Sequence, residues 1–239
     1  MRLSQLSALT RRHHAESYVL VMFFLSAVAL FIFLAVASEV REGEILAFDR
    51  WLLLALRSTA DPAVPVGPNW LRAAMIELTA LGGTSVLTLI TVAATGYLLA
   101  ARRASMAAFL VLTVAGGAVA STLLKQLFAR SRPDLVQHLV EVTSASFPSG
   151  HAMNSAVTYL TLGVMLARTQ NNPPIRIYLI CLAVILTMTI GLSRVYLGVH
   201  WPSDVIAGWC VGGAWAILCS LAARGLQRRR ALEPPQEAA

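Results

Sequence analysis

Three short clusters in the chain carry residue types suited to chemistry on an anion. The first is Lys125, six intervening residues, then Arg132-Pro133; the second is Pro148-Ser149-Gly150-His151. The third is Ser193-Arg194, five residues, His200, three residues, Asp204. Lys125, Arg132 and Arg194 supply three fixed positive charges, and Lys125 is the only lysine in the chain. Arginine forks onto phosphate oxygens with two parallel N–H donors, whereas lysine acts as a point charge. At a helix start, Ser149-Gly150-His151 offers free backbone N–H groups and the positive end of the helix dipole. Gly150 lets the backbone approach a ligand closely. This set predicts a phosphate pocket.

Two histidines divide the labour in that pocket. Asp204 follows His200 by four residues, and Pro202 suits the first turn of a helix. In that turn the carboxylate lies near the imidazole and accepts a hydrogen bond from one ring nitrogen. The other nitrogen is left as the nucleophile, and Asp204 stabilises the positive ring after attack. His151 has no carboxylate close in sequence, which assigns it as the acid that protonates the leaving oxygen. Taken singly, each cluster has a plainer explanation: Lys125 snorkelling from a helix end, Ser149 as a helix cap, His200 and Asp204 as a surface pair. Metal catalysis fits poorly. Only Asp134, Glu141 and Asp204 lie near the clusters, three cations repel a divalent ion, and two-metal sites need denser ligands. No P-loop signature supports nucleotide hydrolysis. Neither metal nor cofactor is expected.

The elements that position these residues must cross a membrane. Hydrophobic residues make up 57% of the chain and charged ones 13%, against about 45–50% and roughly 25% in soluble domains. Apolar runs predict six spans at 18–37, 83–101, 106–124, 152–167, 177–192 and 205–223. Tyr18–Ala37 holds no charge and a single Ser, Ser26, and is too long for a signal core, so a retained anchor is expected. The fourth run carries Asn154, Ser155, Thr158 and Thr161, which places it inside the bundle. Gly116, Gly117, Gly208, Gly212 and Gly213 allow close helix approach. Cys181, Cys210 and Cys219 read as buried, apolar-like thiols outside any disulfide framework.

With a cytoplasmic N-terminus, eleven of the nineteen basic residues fall on that side, as the positive-inside rule expects. The three clusters then collect at the opposite face, each at a helix end. The predicted fold is all-α, a six-transmembrane-helix bundle with the active site at the extracytoplasmic membrane face. Residues 1–17 form a cytoplasmic segment, 18–223 a single domain with its motifs within 125–204, and 224–239 a cytoplasmic basic tail whose last nine residues are expected to be disordered. In the 38–82 loop, Ile45–Arg57 suits an interfacial helix, with lipid entry and structural filling both open. After it, Pro62, Pro65 and Pro68 are expected to break regular structure.

Together the clusters resemble the tripartite signature of the type-2 phosphatidic acid phosphatase superfamily, which includes glucose-6-phosphatase and vanadium haloperoxidases. The resemblance spans roughly residues 79–208, and every defining position is filled: Lys125, Arg132, Pro133; Pro148, Ser149, Gly150, His151; Ser193, Arg194, His200, Asp204. It implies a six-helix membrane core, a phosphohistidine at His200, and acid then base catalysis by His151. It implies further that Asp204 orients the nucleophile and that Lys125, Arg132, Ser149, Gly150 and Arg194 hold phosphate. The substrates it implies are undecaprenyl diphosphate, phosphatidylglycerophosphate, phosphatidate or lipid A phosphates. Compact size, a short second outer loop and the lack of an Asn-x-Ser/Thr sequon resemble bacterial members and lean toward undecaprenyl diphosphate. A bacterial inner-membrane location follows, with both termini cytoplasmic and the site facing the periplasm. The expected partners are the lipid phosphate and the bilayer, with no nucleic acid and no obligate protein. Alternative readings are a lipid phosphotransferase using the same pocket and a non-catalytic anion-binding membrane protein. A soluble haloperoxidase is opposed by the six apolar runs.

Overall fold

Inside a bilayer the backbone must satisfy its own hydrogen bonds, and a helix does so within one segment. The long apolar runs accordingly fold as helices in the computed structural model, which describes residues 3–42 and 47–228. Eight helices occur among the described residues: α1 Leu3–Arg41, α2 Ala47–Ala55, α3 Asn69–Ala80, α4 Thr84–Ala100, α5 Ala104–Phe128, α6 Gly150–Ala167, α7 Pro173–Tyr196 and α8 Pro202–Arg228. The six apolar runs coincide with α1, α4, α5, α6, α7 and α8, the second overrunning α4 by one residue at each end. Of these, the Glu16–Arg41 part of α1, α5, α7 and α8 are long and apolar enough to cross a membrane. Helices α3 and α4 meet at a 48° bend and together would make a fifth such span. Helix α6 falls outside this group because of its polar residues.

That polarity is accounted for by where α6 sits. It packs chiefly between α7 and α8, with α5 and α4 against it as well. Ser155 and Thr158 are completely buried. Helices α6 and α8 meet at Gly208 and Gly212. A Cβ on Gly208 would lie 2.7 Å from the Ser149 carbonyl oxygen, and one on Gly212 would lie 2.5 Å from that of Met153. The outer faces are apolar: Phe23, Phe24 and Phe31 on α1, Leu89 and Tyr97 on α4, and Ile177 and Ile185 on α7 all stand exposed. A surface of this kind belongs against lipid rather than water.

Several expectations need correction. The 38–82 loop holds a helix that was not expected: regular structure breaks around Pro62, Pro65 and Pro68 as read, but Pro68 is also the N-cap of α3, a 12-residue helix. Proline at a helix start removes only an N–H that has no intrahelical partner. Helix α1 runs without a break from Leu3 to Arg41. Of the thiols, Cys181 is exposed on α7 and the other two are half-buried, all of them free; residues inside an apolar run can face lipid as readily as protein. Gly213 faces open space and brings no helices together. Expectations for residues 1–2, 43–46 and 229–239, including most of the Arg228-Arg229-Arg230 run and the tail, lie outside the described residues.

Candidate functional site

Helix ends and the segments between them build the site. Lys125 lies in the last turn of α5, after which Ala129 takes a left-handed conformation (φ 44°) that ends the helix. Arg130, Arg132 and Ser146 follow on the irregular segment to α6. Ser149 caps α6, its Oγ accepting from the Ala152 N–H at 3.4 Å. Arg194 lies in the last turn of α7. Gly198 then turns the chain at φ +77°, where a Cβ would meet the Arg57 guanidinium at 2.6 Å; only glycine combines that conformation with that space. His200 follows, and Asp204 sits in the first turn of α8.

His200 is buried. Its Nδ1–H donates to Asp204 Oδ2 at 3.3 Å, and its Nε2 lies 3.3 Å from Arg132 Nη1. The Asp204 bond thereby selects the tautomer whose Nε2 carries a lone pair. Burial pushes the imidazole pKa down to about 3, with Asp204 pulling the other way. The ring is therefore neutral at neutral pH. Asp204 Oδ2 also accepts from the Trp201 N–H at 2.9 Å and from the Ser146 hydroxyl. Arg132 is fixed by the Val199 carbonyl at 2.6 Å and the Ser144 carbonyl at 2.9 Å.

The other predicted residues gather around this couple. Arg194 is buried; one Nη donates to Thr79 Oγ1 on α3 at 3.1 Å, while its buried Nε has no partner among the described residues. A buried guanidinium N–H without an acceptor is costly, so an anion seated there would satisfy it. Lys125 Nζ donates to the Ala145 carbonyl. Gly150 passes against the lysine stem, since a Cβ there would lie 3.2 Å from Lys125 Cε; its lack of a side chain makes room for Lys125. His151 stands within electrostatic reach of Arg194, His200, Lys125 and Arg132. The Ser149 N–H is not free, because it donates to the Asp204 carbonyl at 2.9 Å. The first-turn N–H groups of Gly150 and His151 have no intrahelical acceptor and carry the helix dipole. All eight residues thus line one place. Among the described residues, no three His, Cys, Asp or Glu side chains gather into a metal-holding group.

Four contributors escaped the sequence reading. Arg130 donates to Asp204 Oδ1 at 2.7 Å and to Asp49 Oδ2 on α2 at 3.0 Å. Asp49 in turn accepts from the Ser203 N–H at 2.7 Å and from the Ser203 hydroxyl. Ser146 braces Asp204, and Thr79 braces Arg194. Of these, Arg130, two residues before Arg132, and Ser146, two residues before Pro148, stood close enough to a motif to draw notice.

The family model of the PAP2 superfamily matches residues 106–228, which hold all of these site residues except Asp49 and Thr79. The chain belongs to the PAP2 superfamily. It is 32% identical over 191 residues to phosphatidylglycerophosphatase B of Bacillus subtilis (strain 168), covering 77% of this chain and 88% of that protein. It is 38% identical over 79 residues to undecaprenyl-diphosphatase of Sulfolobus acidocaldarius, covering 33% of this chain and 34% of that protein. Among solved structures, a transmembrane PAP2-type phosphatidylglycerolphosphate phosphatase from Bacillus subtilis superposes with a TM-score of 0.74 at 26% identity, covering 86% of this chain and 98% of that one. By family and by site, this PAP2 member is a phosphatase.

Proposed function

We propose that the chain removes phosphate from a membrane lipid through a phosphohistidine formed on His200. The observation that carries this reading is the orientation of His200. Its Nδ1–H is held by Asp204, its neutral Nε2 faces Arg132, and Arg194, whose buried Nε has no partner among the described residues, stands within electrostatic reach of the ring. Nε2 attacks phosphorus while Arg132, Arg194, Lys125 and the first-turn N–H groups of α6 hold the phosphoryl oxygens. Asp204 stabilises the ring as it becomes positive. His151 protonates the departing lipid oxygen, then takes a proton from the water that hydrolyses the phosphohistidine and restores both histidines. The donors are cations and N–H groups throughout, and the scheme uses no metal.

In this proposal α1, α4, α5, α6, α7 and α8 are six spans of one domain, with 224–239 as a cytoplasmic tail and the site at the periplasmic face of the inner membrane. The charge distribution supports that orientation. Of the eight basic residues left on the outer side, Arg57, Lys125, Arg130, Arg132 and Arg194 are tied into the fold by side-chain hydrogen bonds. They are structural and catalytic rather than topological, which sharpens the cytoplasmic excess. The substrate is a phosphomonoester or diphosphate of a lipid. Phosphatidylglycerophosphate is favoured over undecaprenyl diphosphate, because the resemblance covers 88% of the phosphatidylglycerophosphatase and 34% of the undecaprenyl-diphosphatase.

The test assays purified protein with EDTA present against a panel of lipid phosphates and p-nitrophenyl phosphate. His200→Ala should abolish turnover and any trapped phosphoenzyme. His151→Ala should slow lipid hydrolysis by about 10²–10⁴; on p-nitrophenyl phosphate it should keep the first burst of p-nitrophenol, whose release needs no proton, while the later turnover stays slow. Turnover that stops in EDTA and returns with Mg²⁺, or that survives His200→Ala, would overturn the mechanism.

A further inference from the structure

The structure assigns Asp49 a positioning role toward the nucleophile, exerted through Arg130 and Asp204. Asp49 is fully buried on the inward face of α2, with Leu53 one turn on. Phe48, Trp51 and Leu54 are exposed on the rest of the same helix. Its carboxylate does two things at once. It accepts the Ser203 N–H at 2.7 Å, capping the first turn of α8 from another helix, one residue before Asp204. It also accepts from Arg130 Nη2 at 3.0 Å.

Arg130 spans two carboxylates. Nη2 reaches Asp49 while Nη1 reaches Asp204 Oδ1 at 2.7 Å, and the guanidinium lies 5.5 Å from the centre of the Trp201 ring. With Oδ1 occupied in this way, Oδ2 is the oxygen left to His200 Nδ1. Asp49 therefore sets both the place of the α8 start and the angle of the Asp204 carboxylate. It also divides the charge of Arg130. Without the Asp49 charge, the whole guanidinium charge falls on Asp204 and weakens the carboxylate's support of a positive imidazole ring. A buried carboxylate with three acceptor bonds is a poor way to add stability alone, since a well-packed apolar residue often does as well.

This inference rests on the reading of His200 as nucleophile, and the experiment keeps the two apart. Full-length protein in phospholipid nanodiscs is assayed with dioleoyl phosphatidate as probe, alongside its thermal midpoint. Asp49→Asn keeps an oxygen for the Ser203 N–H and removes the charge. It should lower kcat by about tenfold or more, as small displacements at a reacting centre do, with KM within about twofold because Asp49 touches no substrate. Arg130→Lys, which loses the fork, should act in the same direction. The double variant should be no worse than the stronger single one, as expected of two residues on one path. An unchanged kcat in Asp49→Asn, a rise in KM with kcat intact, or two losses that multiply would each overturn the role. His200→Ala is run in parallel. If it is dead while Asp49→Asn is fully active, the Asp49 inference alone falls; if it turns over, the nucleophile reading falls and takes the inference with it.

Discussion

Gly208→Ala tests how tightly the proposed phosphate seat depends on the spacing of two helices. The new Cβ would stand 2.7 Å from the Ser149 carbonyl oxygen, 3.0 Å from Ala152 Cβ and 3.1 Å from the Met153 nitrogen, where ordinary contact begins at 3.4 Å. All three neighbours belong to α6 or its cap, and two are backbone atoms that cannot rotate away. The helices must therefore part by about 0.7 Å at this point. The shift falls between Ser149, which opens the anion seat, and Asp204, whose carbonyl accepts the Ser149 N–H. Overpacking of this kind costs about 1–3 kcal/mol, which a bundle tolerates. A misplacement near 1 Å at a reactive centre costs on the order of 10²-fold in rate, so a kcat loss of about 10- to 10²-fold is expected. Phosphate release in nanodiscs measures it, with thermal midpoints to show that the variant folds. Gly213→Ala, five residues on and facing open space, should match the wild type. Equal activity in Gly208→Ala, or equal losses in both variants, would refute the claim that α6–α8 contact sets the site.

Two further predictions concern charge and side. Because burial holds His200 near pKa 3, its nucleophile stays unprotonated until the pH falls toward that value. After correction for the substrate's own ionisation, kcat/KM should show no acid limb between pH 8 and 5; a limb centred near 6.5 would contradict the buried neutral imidazole. In a background lacking Cys181, Cys210 and Cys219, a single cysteine at exposed Asp134 should react with an impermeant reagent on intact cells, and a reporter after Arg230 should be cytoplasmic. Labelling only after lysis would invert the proposed orientation.

What the sequence revealed follows from the range of its signals. Bilayer-length apolar runs announce helices, so α1 and α4 to α8 were legible. Helix α3 was hidden behind Pro62, Pro65 and Pro68 and by its mixed composition, with Trp70, Arg72 and Glu77 among its apolar residues. The three clusters were legible because their residue types stand at short, fixed spacings, and the i, i+4 geometry of His200 and Asp204 emerged as expected. The braces were not. Arg130 meets Asp49 across 81 residues and Asp204 across 74, and Arg194 meets Thr79 across 115. No local period encodes such pairs. Asp49 in particular reads as the polar edge of an interfacial helix until the fold turns it inward.

The polar character of α6 also bears on how the protein comes to be made. Asn154 Oδ1 and the hydroxyls of Thr158 and Thr161 are buried without partners among the described residues, so even the finished bundle leaves them only partly served. Alone in hydrocarbon, the same segment would set these groups and Ser155 against lipid, which resists polar side chains at depth. Helix α7 follows after a connection of five residues, 168–172, and is long and apolar enough to cross a membrane. In the six-span arrangement, α6 would accordingly leave the insertion machinery as half of a hairpin. A nascent chain ending just after Arg168 would hold α6 outside the membrane until α7 arrives to carry it in.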